Sequence, residues 1–312
     1  MGYCSLTYGK IPDNLRYSYK GLQMLSSGLD ELHDFPYDID AQIKEAIKRS
    51  DKMSIQGVQP KLSALFRPSK KLFEVVDIGG MFIIKPSLRE YYEVPENEDL
   101  SMRMAKAGGI DVPFHGLIYA CDGSLVYVIK RFDRLGKKGK VHCEDFSQLL
   151  GQTRDTKYSA SMERVAEVIE RYCTYPVVEK TKLFRRVVFS FLIGNEDMHL
   201  KNFSLLYPQG KPISLSPAYD LLSTTLAMGG GAKEESALTI NGKKNKLTRE
   251  DFIDYYGVKR LGLPNKVIDR IMNETHIALH SWNELISRSF LSEKMKEMFK
   301  KLLEERANRL YL

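Results

Sequence analysis

Signals for β-strands lie almost entirely in the first 130 residues of this chain, and helical spacing of apolar residues dominates the rest. Short alternating or apolar runs bounded by turn residues predict strands at 62–66, 81–85, 117–119 and 125–129. One helix is predicted among them, at 97–107. Later helices are predicted at 161–172, 180–193, 248–256, 264–288 and 292–310. The expected architecture is an α+β fold with two lobes. A sheet-rich N-lobe (1–130) and a helical C-lobe (135–312) are joined by a charged connector (131–134).

A loop in the second half interrupts the helical pattern and carries three polar side chains. Asp197 follows the break at Gly194-Asn195, Asn202 comes five residues later, and Asp220 lies beyond two short predicted strands. Asp-x-x-x-x-Asn on a loop can place a base beside a metal ligand. A later aspartate can complete an Mg²⁺ site that holds a triphosphate. Loop Asx residues are also common as turn caps, so the pattern alone is weak evidence. Its place between a helix and a strand pair favours the chemical interpretation.

Two features of the N-terminal third are compatible with nucleotide binding. A small polar run around Gly57 could bring backbone N–H groups to phosphate oxygens, although a hairpin turn is the simpler interpretation of that run alone. Lys85 ends an apolar strand, where it could protect a sheet edge or reach a triphosphate. Glu98, in the first turn of the next predicted helix, is a candidate partner for Lys85. With the two lobes, these features give the outline of a protein kinase, in which residues 131–134 are the hinge.

Composition limits the remaining possibilities only loosely. The net charge of +7 is spread along 312 residues, which permits nucleic acid, an anionic partner or a polyphosphate as ligand. The four cysteines are scattered and form no CxxC pair, which is typical of a reducing cytoplasm rather than a disulfide framework. No apolar run is long enough to span a bilayer, and no secretory signal is recognisable at the N-terminus. We therefore expect a cytoplasmic protein without membrane attachment.

A series of motifs along the chain resembles one known family. SIQGVQPKL, FIIKPS, NEDLSMRMAKAGGI, VIKRFDR, EDFSQLLGQ, GNEDMHLKN and SPAYDLLST follow one another in the order seen in HipA-like serine/threonine kinases. These kinases are the toxins of bacterial toxin–antitoxin modules. The resemblance begins near the N-terminus and covers most of the chain. Several independent motifs in order make it far more specific than any one of them.

The resemblance implies a role for each matching residue. Asp197 is expected to be the catalytic base, and Asn202 and Asp220 to hold Mg²⁺. Ser54 matches the serine that such kinases autophosphorylate, which ejects the phosphate-covering loop. The implied ATP-binding residues are Gln56, Gly57, Val58, Gln59, Pro60, Lys61, Lys85, Lys130, Arg131, Phe132, Asp133, His199 and Lys201.

These ATP-binding residues divide by the part of the nucleotide they are expected to meet. The loop 56–61 covers the phosphates, and Lys85 contacts them. Lys130 and Phe132 offer backbone groups to adenine, with Asp133 near the ribose. The remaining two, His199 and Lys201, lie in the catalytic loop against the nucleotide.

The resemblance also implies partners. The chain starts close to the kinase core, without the N-terminal subdomain of the full-length toxins, and so looks like HipT of the tripartite HipBST systems. There a separate small antitoxin-like protein supplies that subdomain, and the Ser-Ile-Gln segment at Ser54 also fits this variant. A DNA-binding antitoxin is the expected second partner, with DNA reached only through it. The implied substrate is an aminoacyl-tRNA synthetase, with the tryptophanyl enzyme favoured.

Two other classes of function remain open at this stage. The same core could phosphorylate a small molecule or a lipid, because a fold does not fix the acceptor. The chain could also be a non-catalytic, DNA-associated partner subunit. The presence of every polar group that catalysis needs argues against that last alternative.

Overall fold

A computed structural model describes residues 2–49, 60–87, 90–136, 139–152, 160–230 and 234–312. The chain divides into two compact units, each built from several segments. The first, called the N-unit, comprises Met1–Leu100, Pro113–Arg131 and Ser287–Leu291. The second, called the C-unit, comprises Ser101–Val112, Phe132–Ile286 and Ser292–Leu312. Within the described ranges, no helix has both the length and the apolar character needed to cross a membrane.

An antiparallel sheet of five strands forms the centre of the N-unit. The N-unit strands are β1 (Gly2–Tyr3), β2 (Lys10–Ile11), β3 (Leu62–Arg67), β4 (Leu72–Val75), β5 (Phe82–Lys85), β6 (His115–Tyr119) and β7 (Leu125–Lys130). β1 and β2 pair as a separate ribbon, and the other five are ordered β4-β3-β5-β7-β6. Two helices, α1 (Tyr19–Leu25) and α2 (Ile39–Arg49), lie between the ribbon and the sheet in sequence.

The sheet is stable because one of its faces is apolar and covered. Leu62, Ala64, Ile84 and Val128 lie on paired strands and are buried in one cluster with residues of the ribbon and the helices. The short alternating and apolar runs of the sequence therefore predict β3, β5, β6 and β7 correctly. Between β6 and β7 the chain turns tightly, and Gly123 there has φ +81°.

Strand β4 is absent from the expectations because its sequence has little strand character. Of its four residues only Phe73 is buried, so no alternating pattern marks it. Its place is set by pairing with β3, in which Phe66 lies opposite Phe73. Lys71, with φ +52°, makes the left-handed turn that leads into it.

Helix α3 (Val94–Ala107) begins three residues before its predicted start. Pro95 lies in its first turn, where its missing N–H removes no helical hydrogen bond. Asn97 N–H already bonds the carbonyl of Glu93 at 2.9 Å. Only Pro95 and polar residues stand between Val94 and Leu100, so the apolar pattern alone starts the helix too late. The residues up to Leu100 belong to the N-unit and the rest of α3 to the C-unit.

The C-unit is mainly helical, as expected. Its α-helices after α3 are α4 (Phe146–Leu149), α5 (Met162–Tyr172), α6 (Pro176–Leu192), α7 (Thr224–Ala227), α8 (Asn265–Arg288), which ends in the N-unit, and α9 (Glu293–Arg309). Helix α6 is the buried centre, with Leu183, Phe184, Val187, Val188 and Leu192 all inaccessible or nearly so. Ser292 is the N-cap of α9, since its hydroxyl accepts the N–H of Met295.

The segment predicted as a helix at 248–256 is instead a π-helix over Asp251–Arg260. At its start, the Thr248 N–H donates to a carboxylate oxygen of Asp251 at 3.0 Å. The same carboxylate binds Lys243 Nζ at 2.9 Å. A wider helical repeat cannot be read from apolar spacing, because this segment has no regular apolar face.

Small antiparallel sheets flank the helices of the C-unit. One pairs β8 (Arg134–Leu135) with β9 (Gly139–Lys140). The other is ordered β10 (His142–Asp145), β11 (Ser204–Tyr207), β12 (Ser214–Leu215). The predicted hairpin after the loop at 195–202 is confirmed as β11 and β12. The sequence does not predict β10, whose residues are polar and only partly buried.

Candidate active site

The loop that holds Asp197 begins where α6 ends, at Gly194. Gly194 has φ +67°, a left-handed conformation that ends the helix. A Cβ atom there would lie 2.6 Å from Thr225 Oγ1 and 2.8 Å from Leu302 Cδ2, so only glycine fits. Asn195 is buried, and its N–H bonds the carbonyl of Ser190 at 2.9 Å. The start of the loop is therefore fixed by the backbone and by close packing.

The loop brings Asp197 and Asn202 together through the backbone. Asn202 Nδ2 donates to the Asp197 carbonyl at 2.9 Å. Its own N–H donates to the His199 carbonyl at 2.9 Å, and the His199 N–H donates to the Asp197 carbonyl at 2.8 Å. Because the amide nitrogen of Asn202 is held by this bond, its Oδ1 is the atom that can face a metal ion.

Tyr219 ties the segment of Asp220 to the same loop. Its hydroxyl lies 2.9 Å from the Lys201 carbonyl, to which it donates, and 2.6 Å from Ser204 Oγ. Burial raises the pKa of Tyr219, so the hydroxyl stays protonated and able to donate. Tyr219, directly before Asp220, is thus bonded to Lys201, directly before Asn202. This bond connects the two segments that carry the predicted metal ligands.

Asp220 itself has an unusual backbone. Its φ of +55° lies in the left-handed region, where residues with a Cβ atom are strained. Strain of this kind persists where the surroundings impose it, and it clusters at functional sites. Together with the Asn202 amide, Asp220 provides hard oxygen ligands of the kind Mg²⁺ takes alongside substrate phosphates. Among the described residues, no group of three or more His, Cys, Asp or Glu side chains is arranged to hold a metal.

In the N-unit, Lys85 forms a buried ion pair with Glu98. The Lys85 Nζ atom lies 2.5 Å from Glu98 Oε1, with the side chains 3% and 0% exposed. The ammonium also lies 5.6 Å from the centre of the Tyr127 ring, which faces Lys85 across β5 and β7. The pairing suggested by the sequence is therefore present, and Lys85 is not an edge lysine.

A second buried pair lies beside the first, and sequence reasoning missed it. His115 Nδ1 lies 2.8 Å from Asp99 Oδ1, with both side chains almost inaccessible. The His115 ring lies 5.9 Å from the Tyr127 ring. On the same helix, burial above all raises the pKa of Glu96 to about 7, and the charges of Glu93 and Asp99 add to this. Adjacent Asn-Glu-Asp residues at 97–99 were the only sequence signal.

Lys130 and the connector residues 131–133 each make a contact within their own unit. The N–H of Lys130 donates to the Phe114 carbonyl at 2.8 Å, and that of Arg131 to the Met81 carbonyl at 2.8 Å. Lys130 can therefore offer adenine only its carbonyl. In the C-unit, the Phe132 ring lies 5.4 Å from that of Tyr219. Asp133 is paired with Arg134, at 2.5 Å between Oδ2 and Nη1.

Of the other predicted ATP-binding residues, the structure describes four. His199 is buried and Lys201 half-buried, at either end of the loop segment that leads to Asn202. Pro60 and Lys61 are half-buried directly before β3. The predictions for Ser54, Gln56, Gly57, Val58 and Gln59 lie outside the described residues.

Asp145 is an acid near the loop that the sequence analysis did not single out. It ends β10, caps α4 in a box with Gln148, and lies opposite Ser204 in the sheet register. Burial raises its pKa, an effect reduced by the hydrogen bond from Gln148 and by the positive charge of Lys201. The Asp-x-x-Gln pattern predicts the helix cap, but it does not predict that Asp145 lies close to the loop at 195–202.

The sequence is similar to those of known proteins over most of its length. Residues 53–282 match the family model described as the HipA-like C-terminal domain. A putative kinase of Haemophilus influenzae is 28% identical over 94% of this chain and 93% of its own length. The serine/threonine-protein kinase toxin HipA of Shewanella oneidensis is 26% identical over 73% of this chain, which spans 55% of that protein.

Two solved structures resemble the fold. The HipA of Shewanella oneidensis, solved with HipB and its operator DNA, gives a TM-score of 0.69 at 22% identity over 91% of this chain and 74% of its own. The Helicobacter pylori proinflammatory kinase CtkA gives 0.59 at 18% identity over 83% of this chain and 91% of its own. At such identities the likeness concerns the fold, and it confirms the predicted kinase-like α+β class.

Proposed function

Because the chain belongs to the HipA-like C-terminal domain family, we propose that it is an ATP- and Mg²⁺-dependent protein serine/threonine kinase. The observation that carries this is the loop in which Asn202 is bonded to the Asp197 carbonyl while Tyr219 ties the Asp220 segment to Lys201. Phosphoryl transfer depends on positioning and charge neutralisation, so a rigid loop of this kind is what the reaction needs. Relatives named as kinases support the proposal.

In this proposal Asp197 is the base of the reaction. Its carboxylate accepts the proton of a substrate hydroxyl as that oxygen bonds to the γ-phosphorus and the bond to ADP breaks. Asn202 Oδ1 and the Asp220 carboxylate would hold Mg²⁺, which would neutralise charge on the phosphates. Lys201 and His199 lie along the same loop, where they would contact the nucleotide.

The residues proposed to bind the rest of ATP lie in other parts of the chain. Lys85 contacts the phosphates, held in place by Glu98. Residues 56–61 cover the phosphates, and residues 131–134 act as the hinge, with Lys130, Phe132 and Asp133 near adenine and ribose. The proposed domains are the two predicted lobes, the N-lobe at 1–130 and the C-lobe at 135–312.

We further propose that the chain is the toxin of a toxin–antitoxin module in the cytoplasm. A DNA-binding antitoxin is the expected partner, since the Shewanella oneidensis HipA was solved with HipB and operator DNA. The finer proposal, from the motifs around Ser54, is the HipT form with a separate small antitoxin-like protein. Its substrate would be an aminoacyl-tRNA synthetase, with the tryptophanyl enzyme favoured.

Incubating the purified chain with ATP labelled on its γ-phosphate and a cell lysate tests the function. We expect label on one or a few proteins, dependent on Mg²⁺, and no label when Asp197 is replaced. Labelled small molecules or lipids in place of protein would redirect the proposal to another acceptor class. The absence of any transfer by a folded, ATP-binding preparation would contradict it.

Autophosphorylation at Ser54 is a separate expectation. A phosphate there adds roughly −1.5 to −2 charges, which would repel the ATP phosphates unless the loop moved away. Ser54→Asp should therefore weaken ATP binding, and Ser54→Ala should leave it nearly unchanged. Peptide mapping by mass spectrometry of the wild type and Asp197→Ala decides whether the chain modifies itself. Equal phosphate at Ser54 in both proteins would mean that another enzyme adds it.

A further inference from the structure

Two consecutive threonines at the start of α7 are bonded to the start of the catalytic loop. Thr224 Oγ1 accepts the Glu196 N–H at 2.8 Å and donates to the Gly194 carbonyl at 3.1 Å. The Thr225 N–H donates to the same carbonyl at 3.2 Å. Thr224 and Thr225 follow Asp220 by four and five residues, and Glu196 directly precedes Asp197. The pair therefore joins the segments that carry the proposed base and a proposed metal ligand.

The hydroxyl of Thr225 makes the contact that fixes the Glu196 side chain. Thr225 Oγ1 lies 2.8 Å from Glu196 Oε1 and 3.2 Å from the Gly194 carbonyl. A hydroxyl has one proton to donate, and a carboxylate is the stronger acceptor. The proton therefore goes to Glu196, so this bond holds the side chain next to Asp197 from one side.

Helix α9 holds Glu196 from the other side. Arg306, only 6% exposed, lies 3.6 Å from Glu196 Oε1 and 3.5 Å from Glu235 Oε1. Arg309 donates to both oxygens of Glu235, at 2.7 and 3.0 Å. The guanidinium carbons of Arg306 and Arg309 lie 4.7 and 5.1 Å from the ring centre of Phe191, near the end of α6. Two arginines of α9 thus balance two glutamates, one of which belongs to the catalytic loop.

The contact between Arg306 and Glu196 serves to position the loop more than to stabilise the fold. Arg306 Nε and Nη1 are buried and have no hydrogen-bond partner among the described residues, so the cost of burying this guanidinium is only partly offset. The charge is retained where it meets the carboxylate beside Asp197. Burial raises the pKa of Glu196, and the Thr225 hydrogen bond and Arg306 act in the opposite direction. Both contacts therefore favour the charged, bound form of Glu196.

We propose that Thr225 and Arg306 hold Glu196 from two sides and thereby set the position of Asp197, which makes the C-terminal end of α9 part of the catalytic apparatus. Glu196, Thr225 and Arg306 are positioning residues, because they act through the neighbouring base. The expected effect on kcat rests on the proposed function. The contacts of Thr225 and Arg306 with Glu196 exist without any reaction.

The test compares Thr225→Val with Thr225→Ser. Valine has the shape of threonine and lacks the hydroxyl, whereas serine keeps the hydroxyl and loses only a methyl group. Two readouts are needed: hydrogen–deuterium exchange of the amides at 194–199, and steady-state transfer with separate kcat and KM for ATP. ATP binding by calorimetry and the thermal midpoint report whether the rest of the protein is intact.

We expect Thr225→Val to speed exchange at 194–199 and to lower kcat about tenfold, which is part of the roughly 10²-fold that a misplacement of ~1 Å can cost. KM for ATP and the thermal midpoint should change little, and Thr225→Ser should behave like the wild type. Unchanged exchange in Thr225→Val would overturn the proposal. Faster exchange with an unchanged kcat would also overturn it, as would equal losses in kcat, ATP binding and stability.

A second pair of variants tests the contribution of α9. Arg306→Met keeps the length and apolar stem of the side chain and removes its charge, and Lys301→Met makes the same change at an exposed site on the same helix. Only Arg306→Met should speed exchange at 194–199 and lower kcat. If the wild type transfers no phosphate, the proposed function fails and the base-setting role fails with it. The exchange measurement then still decides whether α9 holds the loop.

Discussion

Replacing Asp197 by asparagine is expected to lower phosphoryl transfer to protein by roughly 10²- to 10⁴-fold, the usual contribution of a positioned base. Asparagine keeps the size of the side chain but cannot accept the substrate proton. The loop should stay folded, because the Asp197 carbonyl keeps its bonds from Asn202 Nδ2 and from the His199 N–H. Single-turnover transfer at saturating ATP measures the effect directly.

The matched control is Asp254→Asn, which makes the same change at an exposed aspartate of the C-unit. It should leave transfer and stability as in the wild type. Asp220→Asn should also reduce transfer severely, and its residual transfer should need a higher Mg²⁺ concentration, because the change removes a proposed metal ligand. Near wild-type transfer by Asp197→Asn, in a preparation free of contaminating kinase, would remove Asp197 from the mechanism.

Local spacing predicted those parts of the site that are close in sequence. Asp197 and Asn202 lie on one loop, so their separation of five residues already implies that they meet, and the structure joins them by a hydrogen bond of 2.9 Å. Lys85 and Glu98 were proposed as partners from a strand end and a first helical turn. Their contact depends on how α3 packs on the sheet, which the sequence suggests but does not determine.

Contacts between distant residues with no chemical signature were missed. Thr224 and Thr225 are ordinary polar residues in sequence, and their importance appears only when they meet a loop about 30 positions earlier. His115 and Asp99 pair across a helix and a strand for the same reason. Strand β10 was missed because a polar edge strand is determined by its partner and not by its own pattern.

The Lys85–Glu98 pair should also be required for the stability of the N-unit. Lys85→Met removes the ammonium from a carboxylate that is fully inaccessible to water, and breaking a buried pair costs about 3–5 kcal/mol. Hydrogen exchange of the β5 and β7 amides measures this loss within the N-unit. Lys70→Met is the matched control, because Lys70 is 62% exposed and lies 3.9 Å from Glu74, a surface pair of small value.

The double variant Lys85→Met/Glu98→Gln separates the structural role of Lys85 from its proposed role at the phosphates. Neutralising both partners removes the unbalanced buried charge, so most of the lost protection from exchange should return. ATP binding and transfer should not return with it, because methionine cannot contact a phosphate. If the double variant recovers transfer along with stability, Lys85 serves only the fold, and the contact between its ammonium and ATP must be abandoned. If neither returns, the pair is needed for the arrangement of α3 on the sheet in a way that charge balance alone does not explain.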